Sequence, residues 1–204
     1  MVIALIDYGA GNIQSVYNAL KTAGASDVTV TADPDSLARA DRIVLPGVGA
    51  FAACMGALSA IDGMVEAMEG RVHNDGVPFL GICVGMQLLA DAGVEHGTHP
   101  GLGWIGGTVR KIEASNNSIK VPHMGWNDVI PMRANPLVEA GEAYFLHSYH
   151  FDVSDDADIL ARTDHGGSIV AAVAHNNIVG VQYHPEKSQS FGLSMLARFL
   201  EWNP

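Results

Sequence analysis

Cysteine is scarce. The 204 residues hold only two, Cys54 and Cys83, which excludes a disulfide framework and gives no sign of an oxidising compartment. Long apolar runs are missing too. No stretch reaches the roughly 18 apolar residues of a membrane helix. The opening segment, MVIALIDYGAGN, has no basic region of the kind that begins a signal peptide. The expectation is a soluble cytoplasmic protein that does not engage membranes. Basic residues are few, 11 Lys and Arg against 22 Asp and Glu, a formal net charge of −11. With no basic cluster to offset that charge, a nucleic-acid partner is excluded. Linkers, repeats and low-complexity segments are also absent, so residues 1–204 are expected to form a single domain.

What the sequence does have is apolar surface, with hydrophobic residues making up 48% of it. Residues 2–8, VIALIDY, read as a buried strand ended by Gly9 and Gly11. Ile13, Val16, Tyr17 and Leu20 make one helix face, and Gly24 ends that helix. A short strand is expected at 28–31, and Asp35-Ser36 is expected to cap a helix over LARA. RIVLP at 42–46 is a second buried strand, entering the loop Pro46-Gly-Val-Gly49. A long helix is then expected from Phe51 to about Met68, a strand at 77–80, and a helix from about Met86 to Asp91. This alternation predicts an α/β fold, an open and mostly parallel sheet with helices on both faces. The second half reads instead as closely spaced antiparallel strands, with Asn176-Asn177 as a hairpin turn. A last helix is expected from about Phe191 to Trp202.

Between the 77–80 strand and the following helix lies Gly81-Ile-Cys-Val-Gly85. A nucleophile framed by glycines at a strand-to-helix turn stands exposed at the sheet's C-terminal edge, where open α/β sheets bind ligands. The helix N-terminus favours the thiolate, and the Val84 N–H faces the place where an oxyanion would form. A packed core thiol and a redox-sensing thiol are the alternatives at this position. Cys54, in the small-residue helix FAACMGAL without a glycine frame, reads as core.

A thiol nucleophile needs a base, and the base needs an orienting group. Tyr183-His-Pro-Glu186 supplies both at the end of the apolar strand IVGVQ. His184 and Glu186 lie at i and i+2 on an extended segment and so on one side, and Pro185 keeps His184 extended. The loop Gly47-Val48-Gly49 lets the backbone approach a ligand and suits a second oxyanion donor, although an ordinary turn reads the same way. His147-x-x-His150 and His96-x-x-His99 look like ligand pairs. Residues i and i+3 on a strand point to opposite faces, and no further ligand completes the second pair, so no metal is expected.

PGVGAF, GICVGMQLL and VQYHPEKS, in this order and spacing, resemble the class I glutamine amidotransferases with a Cys-His-Glu triad. IDYGAGN, Lys120-Val-Pro-His-Met-Gly-Trp-Asn127 and Phe145-Leu-His-Ser-Tyr149 are similar to one branch of that family. In that branch the members are glutaminase subunits that feed ammonia to a (β/α)8-barrel cyclase subunit for histidine biosynthesis, as a heterodimer without a cofactor. The resemblance spans essentially the whole chain, and Val84 is one small departure, standing where Leu is usual.

The resemblance implies Cys83 as nucleophile, His184 as base and then acid, and Glu186 as the group that orients it. The oxyanion donors would be Val84 and the Gly47-Val48-Gly49 loop, whose peptide turns on partner and ligand binding. Glutamine would be held by Gly49, Gln87, Ser148 and Tyr149, with Glu95 on its amino group. The partner interface would use Pro122, His123, Met124, Gly125, Trp126 and Asn127, together with Asn12, Gln14 and Lys187. Without the resemblance, Trp126 reads as a core aromatic and Gln87 as a solvated helix residue.

Three rival readings remain. A glutaminase serving vitamin B6 biosynthesis would share the triad, but PGVGAF and PHMGWN argue against it. A non-catalytic binding module would be expected to lose Cys83, His184 or Glu186. A thiol redox sensor would need no His-x-Glu pair.

Overall fold

The computed structural model describes residues 1–113 and 119–204. The strands β1 (Val2–Ile6), β2 (Asp27–Thr31), β3 (Arg42–Gly47), β4 (Phe79–Cys83) and β13 (Ile178–Val181) form the parallel part of a nine-stranded sheet. The order continues through β12 (Ser168–His175), β11 (Ile159–Asp164), β8 (His123–Pro131) and β9 (Gly141–His147), all antiparallel to their neighbours. The first half is parallel as expected, but the second half is not wholly antiparallel, because β13 is antiparallel to β12 and parallel to β4. β3 and β4 are buried along their whole lengths, as continuous apolar runs under two covered faces require.

The connection through α1 (Ile13–Thr22) carries the chain from β1 outward to β2. The one through α2 (Phe51–Ser59) and α3 (Met64–Glu69) carries it the other way, from β3 to β4. Right-handed crossovers in opposite directions set these helices on opposite faces. The last helix, α5 (Gln189–Glu201), packs on α1.

Several boundaries differ from expectation for local reasons. The helix expected over 51–68 breaks because Gly63 takes φ +76° before α3, a conformation that glycine adopts without a Cβ clash. Asp33, not Asp35, caps the next turn: its side chain accepts from the Asp35 N–H, and Pro34–Arg39 is a 3₁₀ helix. The fourth strand runs on to Cys83, so the turn is sharper than the 77–80 reading implied. The helix after it, α4, spans only Val84–Gln87. It stops there because the carbonyls of Leu88, Leu89 and Ala90 accept instead from Leu102, Trp104 and Gly103.

The stretch AYFLHSYHFDV is not one strand. It changes sheets at Ser148: β9 ends at His147, and β10 (Tyr149–Val153) joins a four-stranded sheet with β7 (Gly107–Lys111), β5 (Ala92–Gly93) and β6 (His99–Pro100). Asn176, at φ +50°, makes the expected two-residue turn, with His175 opposite Ile178.

A candidate thiol active site at the sheet edge

The C-terminal ends of β3 and β4 lie side by side, with Gly47 paired to Cys83. Cys83 closes β4 at φ +55°, ψ −110°, a strained conformation for a residue with a side chain. The flanking glycines explain how the turn closes. A Cβ on Gly81 would lie 2.6 Å from the Gly85 carbonyl oxygen, and one on Gly85 would strike the Leu45 carbonyl oxygen. Gly47 is also fixed by space, since a Cβ there would sit 2.7 Å from Tyr8 Oη and 2.9 Å from the Gly85 nitrogen.

His184 follows β13. Its backbone N–H donates to the Tyr144 carbonyl at 2.9 Å, and its own carbonyl accepts from Ser188 Oγ at 2.7 Å. Its Nδ1 meets Glu186 Oε1 at 2.8 Å, with side chains only 2% and 1% exposed. Burial by itself lowers the affinity of His184 for a proton. The neighbouring Cys83 sulfur, then Glu186, outweigh it and push the imidazole up to about 10. The polar contacts of the sulfur itself are Gln182 Nε2, donating at 3.7 Å, and the Leu146 carbonyl at 4.0 Å. Apo catalytic contacts of this kind commonly tighten only with substrate.

A cavity of about 340 Å³ opens over this edge. Cys83, His184, Val84, Val48, Gly49, Gln87, Glu95, Ser148, Tyr149, Pro122 and Lys187, all singled out from the sequence, line it together. Gln87 is buried, not solvated. Its amide donates to the Tyr149 carbonyl and to Gln182 Oε1, each at 2.9 Å. Glu95 Oε2 accepts from the Phe51 N–H at 2.9 Å and so caps α2 across the cavity. Gly47 and Glu186 lie behind the lining.

The segment before and along β8 divides by alternation. Met124 and Trp126 are 65% and 48% exposed, so Trp126 is not core. His123 is buried, and Asn127 is half-buried with its amide on His123 and on the Asp164 carbonyl, so these two side chains turn inward. Gly125 lies between the two exposed side chains. Asn12 is half-buried at the start of α1, and Gln14 is exposed, donating to Asn18.

The sequence reading missed Gln182, His147 and Leu146. Gln182 lies in the bend that follows β13, and Glu186 lies in a 3₁₀ turn, Pro185–Lys187, so His184 and Glu186 meet through a turn and not along the extended segment expected. Cys54 is core as expected, yet its thiol donates to the Val48 carbonyl at 3.4 Å. Burial raises that thiol's pKa and keeps it a donor.

Comparison with known proteins decides the family. The family model Glutamine amidotransferase class-I matches residues 4–202. The chain belongs to the class-I glutamine amidotransferases. Among amidotransferase relatives, the protein named imidazole glycerol phosphate synthase subunit HisH from Zymomonas mobilis is 60% identical, over 99% of this chain and 96% of its own. The protein of the same name from Caulobacter vibrioides is 50% identical over 99% of both chains. A crystal structure titled glutamine amidotransferase superposes with a TM-score of 0.77 at 18% identity, covering 98% of each chain. The structure of PurLQS from Thermotoga maritima does so with 0.73 at 21%, covering 98% of this chain and 95% of that one. At such identities these two support the amidotransferase fold alone. Among the described residues no group of three or more His, Cys, Asp or Glu side chains could hold a metal ion, and no single helix is long and apolar enough to cross a membrane.

Proposed function

We propose that this chain is the single-domain glutaminase subunit of an imidazole glycerol phosphate synthase, a cytoplasmic enzyme. It hydrolyses glutamine to glutamate and ammonia, and passes the ammonia to a (β/α)8-barrel cyclase subunit. The cyclase makes imidazole glycerol phosphate and the aminoimidazole carboxamide ribotide AICAR in histidine biosynthesis. The observation that carries this reading is the strained Cys83 turn sharing one cavity with His184, which Glu186 holds from behind the lining. The names of the full-length relatives narrow it to this synthase.

In the mechanism, Cys83 Sγ attacks the side-chain carbonyl carbon of glutamine, and the carbonyl oxygen becomes an oxyanion held by the Val84 N–H and one N–H from Gly47-Val48-Gly49. His184 gives its proton to the amide nitrogen, the C–N bond breaks, and ammonia leaves a γ-glutamyl thioester. His184 then takes a proton from water. The hydroxide adds to the thioester, the C–S bond breaks, and glutamate departs. Glu186 holds the ring through Nδ1 in both halves. Gly49, Gln87, Glu95, Ser148 and Tyr149 form the glutamine pocket. No step needs a metal or cofactor.

Met124, Trp126, Pro122 and Lys187, with Asn12 and Gln14, make the docking face, and His123, Gly125 and Asn127 support it from within. Ammonia that meets water becomes ammonium and loses its nucleophilicity, so the cavity mouth must abut the consumer. Acid-quenching the glutamine reaction and mass-mapping the chain tests the chemistry. A γ-glutamyl adduct on Cys83 is expected, and an adduct elsewhere, or turnover without one in a slowed variant, would sink the reading.

A further inference from the structure

The sulfur of Cys83 is joined to the β8 strand by an unbroken row of hydrogen bonds. Gln182 Nε2 donates to Cys83 Sγ at 3.7 Å, and Gln182 Oε1 accepts from Gln87 Nε2 at 2.9 Å. Gln87 Nε2 also donates to the Tyr149 carbonyl at 2.9 Å. That oxygen has a second lone pair, which contacts His147 Nδ1 at 2.9 Å. His147 Nε2 meets His123 Nδ1 at 2.9 Å, and His123 Nε2 meets Asn127 Nδ2 at 3.0 Å.

The partners fix every tautomer. A carbonyl only accepts, so His147 carries its hydrogen on Nδ1 and accepts on Nε2. His123 must then donate from Nδ1, and its Nε2 accepts from the Asn127 amide. The row is satisfied with both rings neutral. Burial keeps them so, pushing His123 down to about 4 and His147 to about 3, with His165 adding to both effects. The row is also held sideways. The His123 ring stacks between Phe145 and His165, with centroids 4.6 and 4.1 Å away. Gln87, Gln182, Cys83, His123 and His147 are all buried.

At its outer end the row reaches Asn127, on the strand that carries exposed Met124 and Trp126. Along the way it passes the Ser148–Tyr149 bend that lines the cavity. A strand displaced by docking moves His123, and through His147 the carbonyl shared with Gln87.

We propose that His123 and His147 are positioning residues in a row of neutral hydrogen bonds that couples the docking strand to Gln182 and the Cys83 sulfur. This rests on the partner reading above only for what moves the outer end. The role of Gln182, as the donor that orients the sulfur, does not depend on it.

Coupling through a row has to be shown by non-additivity, because spatial continuity alone does not establish it. The test is a double-mutant cycle between His123→Phe, which keeps the stacked ring but neither bond, and Gln182→Met, which keeps the volume but not the amide. Glutamate release is measured with saturating liganded cyclase, separating kcat from KM. Each single variant is expected to lose at least tenfold in kcat, and the double variant no more than about twofold beyond the worse single. His123→Asn, whose amide can replace the Nδ1 donor, should recover at least half of the lost rate.

Losses that multiply, a His123→Phe rate that returns to wild type once cyclase is saturating, or no recovery in a folded His123→Asn variant would each overturn the proposal. If His123→Phe does not fold, Asn127→Leu at the half-buried end of the row takes its place in the same cycle. A wild-type chain that no cyclase stimulates would sink the partner reading alone, and the cycle run on the basal rate would then decide the row by the same criterion.

Discussion

Glu186 Oε1 lies 2.8 Å from Nδ1 of His184, and both side chains are sealed from solvent. The contact leaves the other ring nitrogen free to serve the cavity, and the Cys83 sulfur together with Glu186 favours the positive imidazole. Glu186→Gln keeps the shape and removes the charge. It is expected to lower kcat by about two to four orders of magnitude, with a smaller change in KM. Steady-state kinetics would check this, and a loss confined to KM would contradict the orienting role.

The strain at Cys83 gives a second prediction. Cys83→Ala removes the nucleophile but keeps a Cβ at φ +55°, so glutamine hydrolysis is lost while the fold and cyclase docking persist. Cys83→Gly relieves the strain and should be more stable than Cys83→Ala by about 1 kcal/mol, allowing for the extra backbone entropy of glycine. Paired urea unfolding curves decide it, and equal midpoints would show that the turn is not strained.

The buried histidines set a pH dependence of stability. His123 and His147 hold protons more weakly in the folded chain, at about 4 and about 3, than the usual 6.5. Below 6.5 the unfolded chain therefore binds more protons, and their stabilising contribution, fully present above 6.5, is lost as pH falls toward 4 and 3. The slope is roughly 1.4 kcal/mol per pH unit for each ring. Unfolding free energy measured between pH 7 and 4.5 should fall faster for the wild type than for His123→Phe. Parallel curves would contradict the assignment.

Met124 and Trp126 are exposed on β8, the strand that follows Pro122 of the cavity lining. Trp126→Ala is expected to change unfolding free energy by less than about 0.5 kcal/mol, as surface substitutions do. The same change should weaken cyclase binding by about 2 kcal/mol, because an exposed aromatic on a docking face is a frequent anchor. Calorimetric titration against the cyclase is the check, and unchanged affinity would move the interface elsewhere.

Much of this is legible in the sequence, and what is not has local causes. β1, β3 and the Cys83 turn could be read because buried parallel strands are continuous apolar runs and glycines mark the elbow. The break at Gly63 and the stop of α4 at Gln87 were hidden, because both depend on partners distant from the local pattern. Leu88–Ala90 give their carbonyls to residues 102–104, and no periodicity reports that. His147 looked like half of a metal pair, and only the change of sheets at Ser148 turned it toward His123. Gln182 was hidden as well, because the chain leaves β13 through a bend and a 3₁₀ turn, where strand alternation no longer places side chains. The inward turn of His123, by contrast, follows from strand register, which the sequence does not state.

The most direct test of the account is glutamate release from glutamine by this chain, alone and with a cyclase subunit carrying its nucleotide ligand. The account predicts slow release alone and strong stimulation by the liganded partner, abolished by Cys83→Ala. Equal rates with and without the partner would contradict a gated subunit, and release surviving Cys83→Ala would contradict the site itself.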